Sequence, residues 1–180
     1  TLLEEGYFIY PKKKDIEDLA IYIDDAVRLD PDSLGDVTSR IGSDNGMLDI
    51  LVDWNKCPSS IADQGKKLEE DFATLIKDLG QCPKNIRSKI YYNRNIFRTR
   101  GFHTDGQKRQ YKSFTYLKNC CLRDGPYAIV PKSHRWSFPK ILSFWYNRIF
   151  NRAIDANTYI FNAEPHAVKI TGPKGTSFIS

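Results

Sequence analysis

Tyr111-Lys112-Ser113-Phe114-Thr115-Tyr116-Leu117 is the stretch whose texture decides the fold class. It is rich in aromatic and β-branched residues and contains neither proline nor glycine, which is the composition of a strand. Successive strand side chains project to opposite faces, so Lys112, Phe114 and Tyr116 share one face and Ser113, Thr115 and Leu117 the other. Segments of the same kind lie on both sides: Ile90-Tyr91-Tyr92, Ile96-Phe97, Tyr127 to Val130, Ala167 to Ile170 and Thr176 to Ile179. Each is short and set off by Gly, Pro or Asp turns, a succession that predicts a sandwich or barrel from Ile86 onward. One segment breaks the series. Pro139 to Asn151 carries Ile141, Leu142, Phe144, Trp145, Ile149 and Phe150 and reads as an inserted aromatic helix, either packing the core or walling a substrate pocket.

Toward the N-terminus the period changes from 2 to 3.6. Ile16, Leu19, Ala20, Ile23 and Val27 predict an amphipathic helix over Asp15 to Arg28. A second is predicted from Ser59 or Ser60 to about Leu79, with Gly80 at its C-cap. Between them, Pro31, Asp32, Gly35, Gly42, Asn45 and Gly46 read as a long irregular region, and Glu4 to Pro11 as a short strand stopped by proline. The expected fold is mainly β with N-terminal helices (α+β), a single domain over residues 1–180 with a helical part of about 1–85 and a β core of about 86–180.

Composition narrows the function. The 180 residues carry 27 Lys and Arg against 22 Asp and Glu, a net charge of +5 spread along the chain. That is too mild a bias to indicate nucleic acid, and Lys12-Lys13-Lys14 reads as a solvated turn. No apolar run approaches the roughly 20 residues of a membrane span. The 10 Phe, 10 Tyr and 3 Trp exceed what a minimal core requires and suggest a lined cavity. Cys57, Cys82, Cys120 and Cys121 show no metal-binding spacing, and there is no Asn-x-Ser/Thr acceptor site, so reduced thiols in the cytoplasm are expected. Thr1 and the apolar Thr176 to Ser180 both read as ends cut within a domain.

The three histidines are His103, His134 and His166. In Gly101-Phe102-His103-Thr104-Asp105-Gly106 an extended backbone aims the imidazole of His103 and the carboxylate of Asp105 to one side, with a glycine at each end. Such a pair supplies two thirds of a facial two-histidine, one-carboxylate iron site. It also suits a surface turn in which Asp105 caps a backbone amide. Arg94, Arg98 and Arg100 form a basic cluster nearby, either a solvated edge or a means of capturing an anionic substrate.

Taken in order, Glu4-Glu5-Gly6-Tyr7-Phe8-Ile9-Tyr10, Phe102-His103-Thr104-Asp105-Gly106, Lys112-Ser113-Phe114-Thr115-Tyr116-Leu117, Gly125-Pro126-Tyr127-Ala128-Ile129-Val130-Pro131-Lys132-Ser133-His134-Arg135 and Gly172-Pro173-Lys174-Gly175-Thr176-Ser177-Phe178-Ile179 resemble the phytanoyl-CoA dioxygenase family. The resemblance covers nearly the whole chain, with Pro31 to Leu79 unassigned beyond its helices. It implies a double-stranded β-helix (a jelly roll) and an oxygenase that uses Fe(II), 2-oxoglutarate and O2 to hydroxylate a small organic substrate, releasing succinate and carbon dioxide. His103 and Asp105 become the first two iron ligands and the catalytic pair. The third ligand, a histidine, and the arginine that binds the distal carboxylate of 2-oxoglutarate are expected beyond Ser180, which leaves the chain as it stands incomplete for catalysis. His166 precedes Gly172, one strand too early for the third ligand, and His134 takes a structural place in its turn. The family's aromatic beside 2-oxoglutarate falls near Phe114, which makes Lys112 a candidate partner for a carboxylate and Tyr91 a similar candidate contact; Ser113, Thr115 and Leu117 are the competing inward set. Asp105 also favours hydroxylation over halogenation, since related halogenases replace that carboxylate with a small residue.

Two other functions fit the same residues. One is a non-catalytic ligand-binding module on the same barrel without a complete iron site; the other is an unrelated metal-dependent enzyme or anion-binding β-protein in which His103-Thr104-Asp105 is accidental.

Overall fold

The structure is a computed structural model that describes residues 2–10, 14–39, 46–93, 102, 110–135, 138–150 and 164–180. In chain order its elements are the single-turn helix α1 (Leu2–Glu5), strand β1 (Phe8–Ile9), helix α2 (Glu17–Leu29), strands β2 (Gly35–Ser39) and β3 (Met47–Val52), helix α3 (Ser59–Asp78), strands β4 (Lys89–Asn93), β5 (Ser113–Thr115) and β6 (Ala128–Ile129), helix α4 (Phe138–Ile149), and strands β7 (Val168–Lys169) and β8 (Ser177–Ile179). Among the described residues helix outweighs strand, 43% against 22%, so the fold is mixed helix and sheet rather than mainly β. Among the described residues the sheets are small and antiparallel and none closes into a barrel. The chain divides into two compact units, one formed by Thr1–Asp15 with Arg100–Ser180 and the other by Ile16–Thr99.

In the unit Ile16–Thr99, α2 follows from its stripe: Ile16, Leu19, Ala20, Ile23 and Val27 are all buried. α3 ends where Gly80 enters the left-handed region at φ +72°. There the amide of Gly80 donates to the Lys77 carbonyl (2.8 Å) and that of Gln81 to the Ile76 carbonyl (3.1 Å), the paired bonds of a Schellman cap. The region expected to be irregular instead holds β2 and β3, which with β4 form a three-stranded sheet in the order β2-β3-β4. Val37 faces Ile50 and Ile50 faces Ile90 across its ladders. Ile50 is fully buried, so tertiary pairing overrides the turn-rich local composition. Trp54 packs against α3 where Gly65 leaves room; a Cβ on Gly65 would lie 2.5 Å from the indole ring. The indole Nε1–H donates to Glu69 Oε1 (3.1 Å), which also accepts from Ser88 Oγ (2.5 Å).

The other unit is organised by β8, central in the sheet β1-β8-β5. A strand paired on both edges and covered on both faces buries successive residues, and Ser177, Phe178 and Ile179 are all buried. The predicted strands at 111–117, 127–130, 167–170 and 176–179 are present, each shortened at its ends. Ile96-Phe97 lies outside the described residues. The β5–β8 ladder keeps one register well beyond the strands themselves. It runs from reciprocal amide bonds between Lys112 and Ser180 (2.8 and 2.9 Å), through Phe114 opposite Phe178, to the bridge between Cys120 and Gly172. β6 and β7 then pair as a separate two-stranded sheet inside that ladder. Gly175, at φ +85°, turns the chain into β8, and its amide donates to the Tyr116 carbonyl (2.8 Å).

Candidate functional site

His103 and Asp105, with Arg94, Arg98 and Arg100, lie outside the described residues. What the structure describes is the strand framework that follows them in the chain. Phe114 stacks on Phe178 with ring centroids 5.1 Å apart and packs against Tyr127 at 4.6 Å. Tyr116 meets Phe178 edge-on at 5.4 Å, and Tyr127 lies 5.3 Å from the same ring. Three aromatic rings, two from the β5 path and one from the approach to β6, thus surround Phe178 of β8, the geometry that aromatic quadrupoles favour.

On the alternate face, Thr115 Oγ1 and Ser177 Oγ lie 2.8 Å apart in a hydroxyl pair. The two faces that alternation separates in sequence are therefore chemically distinct: Phe114 and Tyr116 carry the aromatic cluster, and Thr115 a polar contact. Lys112 belongs by period to the Phe114 face and is half-buried at the end of the ladder. The structure brings Lys112 and Phe114 onto one strand path. Tyr91 stands in the other unit, on β4 opposite Asp49, with 41% of its surface exposed.

The Tyr116 hydroxyl is a residue role that sequence reading does not supply. It donates to the Ile170 carbonyl (2.6 Å) and accepts from the Tyr127 amide (3.1 Å), so one side chain fastens the β5 path to the ends of β6 and β7. Its partners are 54 and 11 residues away, and no local pattern marks them. Burial pushes its pKa up to about 12, against the opposing pull of the Tyr127 amide. Burial also raises the thiol pKa of Cys120 and of Cys57, which disfavours the thiolate and so nucleophilic chemistry at either. All four cysteines are unpaired.

His134 is exposed, with Nε2 3.1 Å from the Leu3 carbonyl, which also accepts from Arg135 Nη2 (2.8 Å). The imidazole lies over Gly6, where a Cβ would collide with it. These contacts tie the turn after Pro131 to α1. His166 is exposed at the end of the 3-10 turn Glu164–His166. Among the described residues no group of three or more His, Cys, Asp or Glu side chains could hold a metal ion, and no helix is long and apolar enough to cross a membrane. Comparison of the chain with protein-family models, with curated proteins and with solved structures finds no match.

Proposed function

We propose that this chain carries the core of an Fe(II)- and 2-oxoglutarate-dependent oxygenase of the phytanoyl-CoA dioxygenase type, built on a double-stranded β-helix, with His103 and Asp105 as iron ligands. The observation that supports it is the nested pairing of the C-terminal strands: β6 with β7, enclosed by β5 with β8. A jelly roll is a long antiparallel hairpin wound on itself, so its strand pairs nest in this way and pass from one sheet to the other. The segments that nest are those whose motifs carry the resemblance. The donor set also suits the metal in kind, since one imidazole and one carboxylate are two of the three ligands of a facial iron(II) site.

When bound, iron and 2-oxoglutarate would supply oxidative decarboxylation to succinate and carbon dioxide coupled to hydroxylation of a small organic substrate. The chain's own residues would bind and orient. Lys112 would offer a cation to a keto-acid carboxylate, and Phe114, held by Phe178 and Tyr127, a rigid wall beside it. Arg94, Arg98 and Arg100 would attract an anionic substrate, and unpaired thiols suit a reducing compartment such as the cytoplasm.

The test is succinate formation from 2-oxoglutarate by the natural full-length protein supplied with Fe(II) under air. Wild type is expected to turn over, and Asp105→Ala to lose turnover while keeping its far-UV circular dichroism. Turnover by Asp105→Ala at the wild-type rate would sink the site assignment. A wild-type protein that makes no succinate yet binds a ligand without metal would instead be a binding module.

A further inference from the structure

Helix α4 presents its apolar side outward. Phe138, Ile141, Leu142, Trp145 and Ile149 are 72%, 40%, 37%, 54% and 71% exposed, whereas Ser143 is buried. At 3.6 residues per turn those five positions fall within an arc of about 100°, one continuous stripe. A packing helix would turn such a stripe to the core and leave its serine in water. Scattered exposed apolar residues are ordinary, but a contiguous stripe of large ones marks a binding surface.

Charge selects the occupant. From Gly125 to Ile154 the sequence holds Lys132, Arg135, Lys140, Arg148 and Arg152 and no Asp or Glu. Arg148 is exposed, one heptad after Ile141 and so at the edge of the stripe. Lys132 lies 3.5 Å from Glu5, and Arg135 donates to the Leu3 carbonyl (2.8 Å). Phe, Trp, Ile and Leu on one face of a helix, with Arg148 at its edge and a local excess of Lys and Arg in the sequence, is the pattern of a helix lying in the interface of an anionic bilayer. With 12 residues α4 is about 18 Å long, well short of the roughly 30 Å hydrocarbon core, so it can lie on a membrane but not cross one.

We propose that α4 docks this protein on anionic membrane surfaces by inserting the stripe from Phe138 to Ile149 into the lipid interface. The test is co-sedimentation of the natural full-length protein with vesicles of phosphatidylcholine alone and of phosphatidylcholine mixed with phosphatidylserine. Wild type is expected to sediment with the mixed vesicles and to remain in solution with neutral ones. Trp145→Glu, and independently Ile149→Glu, should lower partitioning tenfold or more, the effect of placing a charge in the buried face. Arg148→Gln should lower it about fivefold, the worth of one cation near the surface. Melting temperatures close to wild type in all three variants would show that the loss is not unfolding. Wild type that ignores mixed vesicles, equal binding to both vesicle types, or binding untouched by both glutamate variants would overturn the proposal. A stable dimer dissociated by Trp145→Glu would also overturn it, by assigning the stripe to a second copy of the chain.

Discussion

Phe114 lies parallel to Phe178 across the β5–β8 ladder, with an interplanar angle of 16° and ring centroids 5.1 Å apart. The pair joins the motif nearest the proposed iron ligands to the last strand of the chain. Phe178 is fully buried while Phe114 is only partly so, and the two rings should therefore respond differently to truncation. Phe178→Ala is expected to cost about 3–5 kcal/mol in urea unfolding, as aromatic core deletions do. Phe114→Ala should cost less, and a double-mutant cycle between them should return a coupling of about 0.5–1.5 kcal/mol. If 2-oxoglutarate packs on Phe114, Phe114→Leu will raise its KM at a temperature where the variant is still fully folded by circular dichroism.

Tyr116 gives the same unit a dependence on pH. Removing its hydroxyl in Tyr116→Phe leaves the Ile170 carbonyl and the Tyr127 amide without that partner, an expected loss of about 1–3 kcal/mol at pH 7. The folded pKa of about 12 lies above the ordinary value of 10. The neutral hydroxyl therefore stabilises the fold fully below pH 10, and that contribution declines as pH rises from 10 through about 12. Thermal unfolding from pH 8 to 12 should show wild type and Tyr116→Phe converging over that window. A constant gap between them would contradict the assignment.

How much of this was legible depended on where a residue's partners lie in the chain. The stripe of Ile16, Leu19, Ala20, Ile23 and Val27 needs only its own spacing, and every member is buried. The C-terminal strands were legible because Phe114, Tyr127 and Phe178 sit in short aromatic runs punctuated by turns. β2 and β3 were not legible: Gly35-Asp36-Val37-Thr38-Ser39 has turn composition and becomes a strand through pairing with Met47–Val52. The outward stripe of α4 was also beyond sequence, since periodicity identifies an apolar face but not what it faces. For the site, sequence offers His103 and Asp105 by motif alone, while the Tyr116 fastening required the fold to bring Ile170 and Tyr127 to it.

Gly65 and Trp54 provide a test in which helix propensity and packing oppose each other. Alanine in place of a mid-helix glycine ordinarily stabilises by about 1 kcal/mol. Here the added methyl would meet the indole at 2.5 Å, and displacing the ring would strain the Trp54–Glu69 hydrogen bond. Gly65→Ala is therefore expected to destabilise by about 1–2 kcal/mol, within the range for overpacking. In a Trp54→Ala background the sign should reverse, and Gly65→Ala should stabilise. Chemical denaturation of the four proteins decides it, and a stabilising Gly65→Ala in the wild-type background would show that the ring moves freely.

His134 and His103 should separate stability from chemistry. His134 shares the Leu3 carbonyl with Arg135, so His134→Ala alone should cost no more than about 1 kcal/mol, because the Arg135 bond remains. The double variant His134→Ala/Arg135→Ala removes both side-chain bonds to the Leu3 carbonyl, leaving α1 held to the turn by the Lys132 amide on the Glu5 carbonyl (2.7 Å), and should cost more than the sum of the two single changes. Neither should alter iron affinity, since both residues act on the Leu3 carbonyl and His134 lies besides over Gly6. His103→Ala should do the reverse, lowering iron affinity at least tenfold with little change in melting temperature. Iron titration beside thermal melts of the same samples checks both halves. Iron loss in His134→Ala at an unchanged melting temperature would move the metal from His103 to the turn after Pro131.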